Sequence, residues 1–101
     1  MRLPTDMTAI IASKRYRVDG ATVLASDAYW DGHSWERKGR NTHLCRTPKG
    51  NYFAVHFTQW PGERNRIEPL DREGALSLYE DLPERELEPE EAFPGLSIEE
   101  A

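Results

Sequence analysis

The sequence predicts an α+β domain: an antiparallel meander of four to six strands, one helix packed on it, and an acidic C-terminal tail. Three observations predict it. Apolar and polar residues alternate with the period of a half-exposed strand, as where Tyr16 and Val18 interleave with Arg15 and Arg17. Turn signals built on Gly and Pro punctuate these runs. A single stretch, Ala75, Leu78, Tyr79 and Leu82, keeps the i, i+3, i+4, i+7 spacing of a helix face.

Taken in order, residues 1–7 form a loose start, because Pro4, Thr5 and Asp6 favour turns. Residues 9–18 are expected to be one strand, closed by a hairpin at Asp19-Gly20, a pair suited to the two positive φ angles of a type I′ turn. Residues 21–25 resume the sheet. Asp31-Gly32 offers a second hairpin or a longer loop between Tyr29-Trp30 and His33-Ser34-Trp35. Residues 37–41 form a basic turn, and Thr42–Thr47 the next strand.

Pro48-Lys49-Gly50 is the clearest turn. Pro sets φ near −65° for a type I turn and Gly50 supplies the left-handed position of a G1 bulge. That geometry pairs Thr47 with Asn51. The next strand, 51–59, then points Phe53, Val55 and Phe57 into the core on the face shared by His43 and Cys45, with Ala54 and His56 on the other. Residues 60–65 break the strand, and 66–70 form a short one. Asp71 is an N-cap for a helix from about Arg72 to Leu82, ended by Pro83. Gly74 weakens its first turn by roughly 1 kcal/mol relative to Ala. The domain is expected to span 1–83, with 84–101 an acidic, largely irregular segment.

The chain has 101 residues and a formal charge of −5. That charge is uneven: residues 81–101 hold eight acids and one base, whereas residues 1–80 hold ten acids and twelve bases. No run approaches the roughly 18 apolar residues of a membrane-spanning helix, and Ala9-Ile10-Ile11-Ala12 is too short for a signal peptide core. With a single thiol, Cys45, no internal disulfide framework is possible. These features predict a soluble, cytoplasmic protein with no membrane partner.

Catalytic and cofactor signatures are missing. No Gly-x-Ser-x-Gly elbow and no phosphate-cradling Gly-rich loop occurs. His43, Cys45 and His56 would gather around a metal only if the hairpin turn were Lys49-Gly50 alone, since a slip of one residue reverses the face. The expectation is therefore no enzyme, no metal and no cofactor.

Binding residues are easier to nominate. In Trp60-Pro61-Gly62-Glu63-Arg64 a rigid bend presents a large ring, with Glu63 and Arg64 as polar contacts. Trp35 and Phe93 join these as candidate partner contacts. The leading expectation is a non-enzymatic protein-binding or adaptor module. The alternative is a weak single-stranded nucleic-acid-binding protein whose acidic tail masks a basic body. Lys14, Arg15 and Arg17, then Arg37, Lys38, Arg40, Arg46 and Lys49, would meet phosphates, while Trp30, Trp35 and Tyr52 stack on bases.

The stretches Thr47-Pro48-Lys49-Gly50-Asn51-Tyr52-Phe53, Thr58-Gln59-Trp60-Pro61-Gly62-Glu63-Arg64 and Ile67-Glu68-Pro69-Leu70-Asp71-Arg72-Glu73-Gly74-Ala75-Leu76 carry a further signal. With Asp31–Trp35 and Glu91-Ala92-Phe93, they resemble a family of small uncharacterised bacterial proteins, from about Tyr29 to Phe93. Gly74 departs from that pattern, which favours a helix former. The resemblance implies a bacterial, intracellular protein and carries over no functional residue.

Overall fold

The computed structural model describes residues 6–27, 40–58 and 60–100. The Asp31-Gly32 turn and the bases Arg37 and Lys38 lie outside them. Among the described residues, seven antiparallel strands form two sheets. Strands β1 (Thr8–Ile11) and β2 (Lys14–Arg17) make a two-stranded ribbon. Strands β3 (Thr22–Ser26), β4 (Arg40–Arg46), β5 (Tyr52–Thr58) and β6 (Arg66–Leu70) run as a meander. Helix α1 (Arg72–Asp81) follows, and β7 (Glu84–Arg85) returns to β3, giving the order β6-β5-β4-β3-β7. A helical turn, α2 (Pro89–Ala92), comes last.

The β4–β5 hairpin forms as its turn chemistry predicts. Gly50 takes φ 91° and its N–H donates to Thr47 O at 2.9 Å. Thr47 N–H donates to Asn51 O at 2.8 Å, so the two residues pair. The register that follows sets His43 opposite Val55 and Cys45 opposite Phe53. His56 faces the other side, opposite Thr42.

The start of the chain folds differently from expectation. Residues 9–18 are two strands rather than one, reversed at Ala12 and Ser13, whose φ angles are 53° and 64°. Neither residue type favours the left-handed region, so nothing in the local sequence announces the turn. At Asp19-Gly20 only Gly20 has positive φ, and Ala21 N–H donates to Val18 O at 3.1 Å. That single bend carries the chain from the ribbon to the larger sheet instead of closing a hairpin.

Both faces of the five-stranded sheet are covered. The ribbon lies on one face, where Tyr16 and Val18 pack with Cys45, Phe53, Val55, Phe57 and Ile67. Tyr16 meets Phe53 edge-on at 5.7 Å, an arrangement worth about 0.5–1.5 kcal/mol beyond burial. On the opposite face, Leu24, Leu44 and Tyr52 pack with Ala75 and Tyr79 of the helix and with Leu82, its C-cap. A register shift between Val23 and Ala25 lets consecutive residues Leu24 and Ala25 both be buried there. Helix α1 begins where Asp71 Oδ1 accepts from Gly74 N–H at 2.7 Å, a cap worth about 1 kcal/mol.

The acidic segment after Pro83 belongs to this second core. Strand β7 pairs Arg85 with Ala25 and Glu84 with Ser26. The main chain then stays close, with Glu86 N–H donating to Leu24 O at 3.0 Å. Phe93 is fully buried, stacked on Tyr52 at 5.1 Å and edge-on to Tyr79 at 5.5 Å. The core therefore closes beyond the boundary that Pro83 suggests, and only residues from about Ser97 onward lie wholly on the surface.

Candidate functional site

The β5 strand ends at Thr58 and the chain turns at Trp60. Pro61 sits at the second position of this turn, Gly62 at the third with φ 85°, and Glu63 N–H donates back to Trp60 O at 3.2 Å. This is the arrangement of a type II turn, which requires positive φ at its third residue. Side chains then lock the bend. Trp60 N–H donates to Thr58 Oγ1 at 3.1 Å, and Thr58 Oγ1 donates to Glu63 Oε1 at 2.7 Å. Thr58 N–H donates to Asn65 Oδ1 at 2.9 Å. The Trp60 ring stands 50% exposed on this braced frame.

Beside the turn lies a polar ledge that the sequence did not advertise. Thr42, His56, Arg66 and Glu68 project from three adjacent strands on the helix-facing side, beyond the part that α1 covers. His56 Nε2 lies 2.8 Å from Glu68 Oε1, and His56 Nδ1 lies 3.3 Å from Thr42 Oγ1. With the proton on Nε2, the ring donates to Glu68 and accepts from the Thr42 hydroxyl. Arg66 approaches Glu68 at 3.9 Å. A recess of about 280 Å³ opens here, lined by Thr42, His56, Thr58, Arg64 and Arg66 among others.

Size and exposure decide what this row can do. A hydroxyl, an imidazole and a carboxylate in line can serve nucleophilic catalysis when enclosed in a cleft. Small-molecule sites usually enclose about 300–1,000 Å³. This recess sits at the lower edge of that range and is open, and the Glu68 side chain is 46% exposed. The ledge suits hydrogen bonding to a surface that settles on it.

Of the residues nominated from sequence, the structure brings Trp60, Glu63 and Arg64 together on one turn. Glu63 braces that turn as well as bordering it. Trp35 lies outside the described residues. Phe93 must be withdrawn as a partner contact, because its ring is wholly inside the helix-side core. Its position follows from the main chain around it. Arg46 donates to Glu91 O at 2.9 Å and to Ala92 O at 2.6 Å, and Tyr52 Oη donates to Ala92 O at 3.2 Å. Arg46 thus fastens the α2 turn to the sheet and is not one of the outward bases. Tyr52, offered as a stacking ring, is buried.

His43 and Cys45 sit in the ribbon-side layer, and His56 points into the ledge. Among the described residues, no three His, Cys, Asp or Glu side chains gather to hold a metal ion. Burial pushes the Cys45 thiol up to about 12 and lowers His43 to about 4. The chain matches no family model, no curated protein and no solved structure.

Proposed function

We propose that this chain is a non-enzymatic protein-binding module of the bacterial cytoplasm, with the Trp60–Arg64 turn and the adjoining ledge as its recognition surface. One observation carries this reading: a large ring, half exposed, stands on a turn already fixed by four hydrogen bonds. An anchor held in its bound geometry loses little conformational freedom on association, so more of its contact energy appears as affinity. Trp and Arg are also the residue types most enriched where binding energy concentrates. The ledge adds directional polar groups around that anchor, as the rim of an interface does.

The test is affinity capture of a partner with the wild-type chain and with Trp60→Ala and Arg64→Glu. A partner held by the wild type and lost by Trp60→Ala supports the reading. Equal capture by the Trp60→Ala chain removes the turn from consideration. The nucleic-acid alternative has less support: the bases on β2 remain, but of its stacking rings Tyr52 is buried, and Trp30 and Trp35 lie outside the described residues.

A further inference from the structure

Three large apolar side chains among the described residues are exposed: Trp60, Ile10 and Ile98. Trp60 belongs to the turn above. The other two sit in opposite electrostatic surroundings. Ile10, 66% exposed, lies on the outer face of the β1–β2 ribbon, directly opposite Arg15, with Thr8 opposite Arg17 beside it. That face borders a recess lined by Ile10, Arg15 and Arg17 together with the acids Asp6 and Asp19, and beside it a groove of about 630 Å³ runs to the Pro48–Gly50 turn, lined by Lys14, Arg15, Arg17 and Lys49 with Asp19, so that four bases face two acids. Among the described residues, none of these four bases has an ion-pair partner. Ile98, 52% exposed, is followed by exposed Glu99 and Glu100 on a stretch with no helix or strand.

We propose that the ribbon face around Ile10, Arg15 and Arg17 binds the Ile98-Glu99-Glu100 segment of a second copy of this chain. Charge and hydropathy match in kind: a branched aliphatic side chain beside two guanidinium groups meets a branched aliphatic side chain followed by two carboxylates. Reach excludes the chain's own segment. Leu96 is packed into the helix-side core, on the face of the sheet opposite the ribbon. Two residues further on, Ile98 extends at most about 7 Å from it, whereas each layer lies about 10 Å from the central sheet. The occupant must come from another molecule.

Two different patches on opposite sides of the molecule make the contact head-to-tail, so association continues into rings or short chains rather than stopping at a symmetric pair. Because the contact relies on exposed charges, salt weakens it. A nucleic acid could also use the bases, but the acidic segment on the same molecule would oppose a polyanion.

Sedimentation velocity over a concentration series tests this on four chains: the wild type, Arg15→Glu/Arg17→Glu, Glu99→Arg/Glu100→Arg, and all four substitutions together. The substituted residues are exposed, and circular dichroism checks that each variant is folded. The expected result is wild-type self-association at low salt that falls at least about tenfold by roughly 0.5 M salt, where screening shortens to a few ångströms. Either charge reversal alone should give a monomer, and the quadruple chain should associate again. A wild type that stays monomeric at low salt overturns the proposal, as does a quadruple chain that stays monomeric. Binding of an oligo(dT) probe that is lost in Arg15→Glu/Arg17→Glu, with the wild type monomeric, assigns the face to nucleic acid and overturns it too.

Discussion

Trp60-Pro61-Gly62 and Phe93-Pro94-Gly95 are the same tripeptide in kind, an aromatic ring before Pro-Gly, and they fold into the same turn. Gly62 and Gly95 both take φ 85°, and in each turn the fourth residue donates its N–H to the carbonyl of the aromatic one, at 3.2 and 3.0 Å. Yet Trp60 is half exposed and Phe93 fully buried. Local sequence sets the bend; the flanks set where the ring goes. Before Phe93 runs the α2 turn, whose carbonyls Arg46 and Tyr52 hold against the sheet. After it comes Leu96, packed on the same core. Trp60 instead follows the end of β5 and precedes Glu63, Arg64 and Asn65, all exposed. An identical turn is thus a clasp in one place and a pedestal in the other.

The contrast can be broken in several ways, and the largest effect should come from Phe93→Ala. Removing a fully buried ring that stacks on Tyr52 and Tyr79 should cost about 3–5 kcal/mol in a urea titration. A cost below about 1 kcal/mol would mean that the clasp is not closed in solution.

Acid should give the next largest effect, entering on the ribbon side through a buried imidazole. His43 is buried against Phe57, and desolvation lowers it to about 4, with Asp27 opposing weakly. An unfolded histidine charges near pH 6.5. Between those values the unfolded chain holds the extra proton, so stability is complete above pH 6.5 and declines as pH falls toward 4, by roughly 3 kcal/mol. Denaturation measured at several pH values should show this slope, and His43→Gln should flatten it.

The two glycines provide an internal control. Space around each is open, since nothing lies within 4 Å of a Cβ built on Gly62 or Gly95. The cost of Gly62→Ala and of Gly95→Ala is then backbone strain alone, about 1–2 kcal/mol each. Equal costs sustain the identity of the turns; a much larger one at Gly95 would show that the clasp tolerates less distortion. The smallest effect should be that of Trp60→Ala, about 0.5 kcal/mol on stability, although partner capture should disappear. Thermal denaturation and affinity capture on the same preparation separate the two.

Where short-range chemistry decides, the sequence was informative. Pro48-Lys49-Gly50 dictated the β4–β5 register, and with it the side on which His43, Cys45 and His56 lie. Asp71 marked the helix start three residues before the N–H it caps. The Trp60 turn was legible for the same reason. What escaped depends on distant partners. Phe93 looks like an unattached aromatic until Arg46 and Tyr52 come across from the sheet. The pairing of Thr42 with His56 followed from the hairpin, but adding Glu68 needed the return path of residues 59–65, whose length does not specify a register. The Ala12-Ser13 reversal was hidden because its residues are poor at the conformation they adopt; the packing of Tyr16 and Val18 imposes it.

That last feature has a consequence for how the molecule opens. Among the described residues, the β1–β2 ribbon shares no strand pairing with the larger sheet and is attached by side-chain packing and the Asp19-Gly20 bend, while its tip holds two non-glycine residues in left-handed geometry. Amide protons of β1 and β2 should therefore exchange with solvent through a partial opening that leaves β4 and β5 protected. Replacing Ala12-Ser13 with Asn-Gly, which favours this geometry, should slow that exchange without altering the protection of the central strands.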